Sequence, residues 1–502
     1  MDNQQHYRKI AGVFFLFAVC LRLLLFWANP PDNAFDDHFE PIFLIMEEGN
    51  IPAKQACWEC FQPPVFYLLS ATIGNVARAN ADSNLAQPLK LLQFLPCLYG
   101  ILTVYVIYLI LNRVNISNFA RTLAFGMVCF LPRHIYMSAI HTNDTLSYLL
   151  VTLCAYLMLV FIDHQFECEK LEQLPNLPSR EQAPQEFHSS GFMPFLKSAI
   201  LLITLLAVIL LALFTKSTAL VLIPMVAAIF LIAFARRILK IGRRSVVSFT
   251  LLLLVPTAVV GSVVLSDVND YGQPLPLNIE LLNVKLSQPP GREDISFFSF
   301  KPWTTIASPI LAPGNIDSFW TLIYSRMWFD MEPKFLQFTD PGDDWWKAYD
   351  YYLNRHDRHD WPGAISLSPF TRLTGSALIA SGLVPLILVL IGTGRSLFGK
   401  WSLWSKRDPA EVVKVQLFLV LLLVTLAGVI LHTFRHPYYS FMKAAFILNA
   451  LSAFALFLAL GVMLVEKNKA LRWGIAILFG FSFLLTSIHV LHIVQSLGFG
   501  MS

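Results

Sequence analysis

Apolar positions fall in long unbroken blocks, and the polar positions gather between them. Blocks long enough to cross a bilayer, which needs ~20 residues, lie near 10–28, 91–111, 121–139, 145–162, 196–214, 217–235, 246–266, 373–394, 412–432, 440–465 and 471–494. Backbone crossing lipid must satisfy its own hydrogen bonds, so these blocks predict helices. The pattern predicts an all-α polytopic membrane protein of about eleven transmembrane helices. The first block follows MDNQQHYRK with no small-residue cleavage site after it, which reads as an uncleaved first span.

Residues 62–79 are a different case. They open on Pro63-Pro64, carry Ser70, Thr72 and Asn75, and end near Arg78. Val65, Leu69, Ile73 and Val76 recur at helical spacing on one face, as in an amphipathic helix lying at the interface. The distribution of basic residues decides between surface and span. With 62–79 on the surface, Arg8/Lys9, Arg113/Arg121, Lys170/Arg180/Lys197, Arg236/Arg237/Lys240/Arg243/Arg244, Arg395/Lys400/Lys406/Arg407/Lys414 and Lys467/Lys469/Arg472 all fall on the inner side. If it crossed, every cluster after the first would switch sides. The outer face then receives 29–90, the turn at His141–Asp144, the Lys216 turn, the loop 267–372, the turn His432–Lys443 and the C-terminus.

Three parts follow: a transmembrane module over 1–266 with the interfacial helix 62–79 in its outer loop 29–90, an external loop subdomain over 267–372, and further transmembrane helices over 373–502. The loop 267–372 is too long for a simple connection and carries PPG, WW and YDYY. It reads as a mixed subdomain of irregular and short helical pieces. The Pro/Glu/Gln-rich stretch 163–195 reads as an inner flexible linker.

Composition sharpens the class. The chain is 502 residues, 56% hydrophobic and 14% charged, which a soluble globular protein could not bury. A net charge of +4 selects no partner by itself. There is no internal repeat, no phosphate-cradling glycine loop and no nucleic-acid signature. Most of the seven cysteines sit in apolar blocks as small core residues.

Five polar features share the outer face, each with a plain reading beside a functional one. Asp36-Asp37-His38 follows the first span. It is either a wetted loop or a base, because a carboxylate against an apolar wall gains proton affinity. Cys57-Trp58-Glu59-Cys60 is a disulfide candidate on an oxidising face, one short pair being too few ligands for structural zinc. Gln62-Pro63-Pro64 starts the surface helix. His141, Asn143 and Asp144 lie at the fourth span, where Thr142 or Asn143 could equally serve as a helix cap. Lys216 sits between two spans, and Arg435, His436, Tyr438, Tyr439 and Lys443 flank the tenth. These basic residues suit an anionic headgroup or, equally, an aromatic-and-basic interface belt. Acids near the first span and bases near later ones fit an enzyme acting on a lipid phosphate.

In order and side, these motifs resemble the polytopic GT-C glycosyltransferases that use a polyprenyl-phosphate sugar donor, the group of the protein O-mannosyltransferases and the lipid A aminoarabinose transferases. The resemblance is carried by Asp36-Asp37, by Gly49-Asn50-Ile51-Pro52 with Gln62-Pro63-Pro64-Val65-Phe66-Tyr67, by Pro132, Ser138, Asn143 and Asp144, by Thr215-Lys216, and by Arg435, Tyr438 and Tyr439. It covers roughly residues 10–265 and is loose beyond. In the family the first acidic pair often reads Asp-Glu. Here it is Asp36-Asp37 followed at once by His38, so either aspartate can be the catalytic acid.

The resemblance implies transfer of one sugar from a polyprenyl-phosphate carrier to a lipid, glycan or protein acceptor on the outer face. Asp36 or Asp37 would deprotonate the acceptor. Lys216, Arg435, Tyr438, Tyr439 and Lys443 would bind the donor phosphate, and His38, Gln62, His141, Asn143 and Asp144 would shape the site. No cofactor is certain, although a divalent metal is held by the acid in some family members. The expected location is a bacterial plasma membrane, with the endoplasmic reticulum as the alternative. A lipid or solute transporter or flippase, and a non-catalytic membrane scaffold, are the rival readings. A transporter would carry inverted repeats and charges midway through spans, which the sequence does not show clearly.

Overall fold

The computed structural model describes residues 2–31, 33, 36–79, 86–172, 192–235, 243–284, 295–309, 318–329, 338–339, 366–399, 401–403 and 408–499. The chain is an all-α polytopic fold, as the hydrophobic pattern predicts. Its helices, in order, are α1 (Asp2–Ala28), α2 (Phe39–Glu48), α3 (Val65–Ala79), α4 (Ala86–Arg113), α5 (Asn118–Cys129), α6 (Pro132–Met137), α7 (Asp144–Glu172), α8 (Phe192–Leu213) and α9 (Leu222–Ala235). There follow α10 (Arg243–Tyr271), α11 (Asn278–Leu281), α12 (Pro302–Ala307), α13 (Phe319–Trp328), α14 (Pro369–Ser381), α15 (Leu383–Phe398), α16 (Pro409–Arg435), α17 (Leu451–Val465) and α18 (Lys469–Phe499). A two-residue antiparallel pair joins Phe338–Thr339 to Ser366–Leu367.

Among the described residues, nine helices are long and apolar enough to cross a membrane. The two remaining predicted spans differ from expectation for local reasons. The block 121–139 is broken between α5 and α6, because Pro132 brings no N–H and its ring opposes continuation. Arg22, fully buried on α1, repairs the break by donating to the Cys129 carbonyl at 3.1 Å and by pairing with His134 Nδ1 at 2.7 Å. A cation at a helix C-terminus is favourable there. The block 217–235 opens as a 3₁₀ turn, Ser217–Val221, before α9, whose first turn tolerates Pro224. Likewise 440–465 opens as the 3₁₀ turns Tyr439–Phe441 and Ala444–Ala450 before α17.

Part of the expected linker is helix: 163–172 extends α7 and 192–195 begins α8. Asp163 anchors the extension, meeting Arg113 at 3.1 Å and Lys414 at 2.6 Å. The rest of that stretch, 173–191, lies outside the described residues, as do the PPG, WW and YDYY segments of the long loop and Arg236, Arg237 and Lys240. The described parts of 267–372 share a core with the late helices: Phe297, Phe319, Leu322 and Ile323 pack with Val429, Tyr439, Met442 and Ile447.

The chain's two ends meet in one bundle. α18 packs on α1 and α5, and α17 packs on α5 and α15. The α15–α17 contact is of the close, small-residue kind that drives helix association in lipid. A Cβ on Gly392 would lie 1.9 Å from the Phe457 carbonyl oxygen, and one on Gly461 would lie 2.0 Å from that of Leu388. Gly392→Ala must therefore push the helices apart. The expected loss is about 1–3 kcal/mol, the usual cost of overpacking, read as a lower melting temperature in detergent.

Candidate functional site

α1 ends at Ala28 and the chain reaches α2 through the two aspartates. They have separate surroundings. Asp37 is exposed, and its Oδ1 accepts from the backbone N–H groups of Phe39 and Glu40 at 3.1 and 3.2 Å. These are donors of the first turn of α2, which have no partner inside the helix, so Asp37 is engaged as a cap. Asp36 is half-buried, and its Oδ2 lies 3.1 Å from Lys443 Nζ. Lys443 comes from the turn between the two late 3₁₀ segments. Arg326 on α13 holds that turn, donating to the carbonyls of Tyr439 at 3.2 Å and Met442 at 2.7 Å.

A second acid–lysine pair is buried. Lys216, between α8 and α9, places Nζ 2.8 Å from Asp144 Oδ1 and 2.9 Å from Asn143 Oδ1. Thr142 Oγ1 donates to Asp144 Oδ2 at 3.0 Å and accepts from the Asp144 N–H, capping α7. Thr142 therefore does the capping expected of Thr142 or Asn143, while Asn143 is turned to the lysine.

His38 stands among these charges. It is buried, with Nδ1 2.9 Å from Tyr67 Oη, and burial with the nearby Lys216 lowers its pKa to about 3. His141 is also buried and lowered to about 3, chiefly by desolvation. Its ring stacks on Phe39 at 4.3 Å, and its Nδ1 donates to the Leu92 carbonyl at 3.1 Å. Both imidazoles are neutral at neutral pH. α3 splits its two faces. Phe66, Tyr67, Ser70, Ala71 and Gly74 face inward, while Leu69 and Val76, on the stripe expected to meet the interface, are exposed. Its first N–H, on Val65, bonds the Phe214 carbonyl at the end of α8, tying the helix to the Lys216 turn.

Of the expected phosphate-binding residues, Lys216 and Lys443 join the acids. Arg435 instead pairs with Glu280 on α11 at 2.6 Å. Tyr438 packs against Phe441. Tyr439 is buried under the Arg326 guanidinium, 4.2 Å from its ring centroid. Cys57 and Cys60 are joined in a disulfide. Gln62 donates its backbone N–H to the Glu59 carbonyl at 3.2 Å, closing this loop.

The sequence assigns no role to Glu59, Tyr67 or Arg326. Glu59 is buried 3.9 Å from His38, and desolvation and the charge of Asp36 raise its pKa to about 8. An acidic residue enclosed by two close cysteines was its one visible signal. Among the described residues no three His, Cys, Asp or Glu side chains converge as a metal would require. The two acids best placed to reach a ligand are each held by a lysine. Either acid would have to leave its lysine to take a divalent ion.

No curated protein matches the chain. The apo oligosaccharyltransferase of Archaeoglobus fulgidus is similar at 11% identity and a TM-score of 0.49, over 96% of this chain and 56% of that one. The same organism's AglB, in complex with an inhibitory peptide and a dolichol-phosphate, is similar at 12% identity and a TM-score of 0.44, over 99% and 55%. ArnT from Cupriavidus metallidurans in the apo state is similar at 14% identity and a TM-score of 0.34, over 95% and 77%. The chain spans about half the length of the first of these structures. Residues 74–175 match the model of the dolichyl-phosphate-mannose-protein mannosyltransferase family. The likeness to GT-C glycosyltransferases carried by the motifs thus meets an independent family match over the segment that bears Pro132, Ser138, Asn143 and Asp144.

Proposed function

We propose that the protein moves a single sugar from a polyprenyl-phosphate donor to a hydroxyl acceptor on the outer face of the membrane, with Asp36 as general base. The observation that carries this reading is the pair of acid–lysine contacts, Asp36–Lys443 and Asp144–Lys216, gathered around His38. The family match over 74–175 supports a polyprenyl-phosphate sugar as donor.

Asp36 takes the proton from the acceptor hydroxyl. The freed oxygen attacks the anomeric carbon from the side opposite the phosphate. The bond from that carbon to the phosphate oxygen breaks, and its electron pair leaves with the lipid phosphate. Lys443 and Lys216 neutralise the leaving group, the kind of preorganised charge that stabilises such a transition state. Arg435, half-exposed beside Glu280, stands at the rim. Asp37 stays on its cap. The exposed stripe of α3 rests on the membrane surface, and the described pieces of 267–372 cover the acceptor side.

The test is reconstitution in vesicles with a panel of polyprenyl-phosphate-linked sugars and hydroxyl acceptors. Release of free polyprenyl phosphate that depends on the acceptor is the expected result. Passage of intact carrier across the bilayer with no release from any donor would sink the reading in favour of a transporter.

A further inference from the structure

The Cys57–Cys60 loop encloses an acid that the mechanism above does not use. Glu59 is 4% exposed, although an unpaired buried carboxylate is costly. Its carboxyl lies 3.9 Å from His38 Nδ1, and its backbone carbonyl accepts from the Gln62 N–H at 3.2 Å. The charged and titratable groups facing it are Asp36 from the turn before α2, His38 beside it, Tyr67 on α3, Lys216 from the turn before α9 and Lys443 from the late turn. Two neighbouring acids away from water resist ionising together. Of the two, Asp36 has the greater exposure and a lysine at 3.1 Å, so Asp36 carries the charge and Glu59 the proton.

We propose that Glu59 is a positioning residue of the acidic centre, clamped by the Cys57–Cys60 disulfide so that its protonated carboxyl sits beside Asp36 and leaves both lysines free of a further competing carboxylate. This deepens the transferase reading and, for its kinetic consequence, rests on it. Burial and the Asp36 charge raise the Glu59 pKa to about 8. Above that value Glu59 becomes a carboxylate that competes with the donor phosphate for Lys216 and Lys443. Transfer then falls with rising pH, about tenfold per unit beyond the midpoint, as one ionisation requires.

Two measurements on the purified full chain in lipid nanodiscs test this. The first is independent of activity: infrared difference spectra of wild type against Glu59→Gln, followed over pH. A protonated carboxyl band belonging to Glu59 is expected at pH 7 and is lost near pH 8. Its midpoint falls in Asp36→Asn, which removes the neighbouring charge, and also in Cys57→Ser/Cys60→Ser, which releases the loop. A band absent at pH 7, or a midpoint unmoved in both variants, overturns the proposal. The second is the pH profile of lipid-phosphate release. Wild type loses rate on the alkaline side, and Glu59→Gln, compared with its own rate at pH 7, does not. The same alkaline fall in both also overturns it. Absence of transfer in every donor tested would fail the transferase reading alone, because the infrared midpoints still decide whether Glu59 holds its proton against Asp36.

Discussion

Asp36→Asn is expected to lower lipid-phosphate release by about 10²–10⁴-fold, the usual contribution of a positioned general base. The amide oxygen still accepts from Lys443, so the contact across the site is kept while the proton acceptor is lost. The neighbouring residue supplies the control. Asp37 holds two backbone N–H groups of α2, and asparagine caps a helix about as well as aspartate. Asp37→Asn should therefore stay within about threefold of wild type, whereas Asp37→Ala should cost about 1 kcal/mol of stability. The measurement is kcat/KM on purified variants beside their melting temperatures. A large loss in Asp37→Asn with a normal Asp36→Asn would reverse the roles given to the two acids.

Lys216→Met is expected to destabilise the protein by about 3–5 kcal/mol, the loss typical when one partner of a buried ion pair is removed. Methionine fills the space of the lysine stem but leaves Asp144, only 8% exposed, without its cation at 2.8 Å. Asn143 loses a hydrogen bond with it. Adding Asp144→Asn removes the stranded charge, so the double variant should recover part of the loss. Thermal unfolding in detergent reads both effects. A Lys216→Met protein that melts with wild type would show that the pair contributes nothing, and would leave the lysine with a binding role alone.

Much of the fold is legible because the bilayer imposes it. Long apolar blocks have no other structure available in lipid, so the helices and their order follow from pattern. The third block, read as unbroken over 121–139, instead breaks before Pro132. The 3₁₀ openings at Ser217 and Tyr439 are not marked, since they answer to neighbours: the Lys216 turn to Asp144, and the late turn to Arg326. The site divides in the same way. Asp36, Asp144, Lys216 and Lys443 stand out singly as ionisable residues at span ends, but which acid meets which base depends on packing between distant helices. Arg435 looks equally suited to a phosphate, and only the folded chain brings Glu280 to it. Glu59 is hidden for the opposite reason: between two cysteines it reads as an exposed loop residue until the disulfide and His38 enclose it.

Asp36 and Lys443 are separated by 407 positions. A ribosome has therefore made α1 to α16 before the first acid acquires its cation. The half-built chain carries Asp36 to the membrane early, yet without the lysine that faces it in the finished fold. Under the proposed reading, the base and the cation that faces it come together only with insertion of the span that follows Lys443. A molecule truncated before that point keeps Asp36 and the Asp144–Lys216 pair but lacks the lysine that faces Asp36.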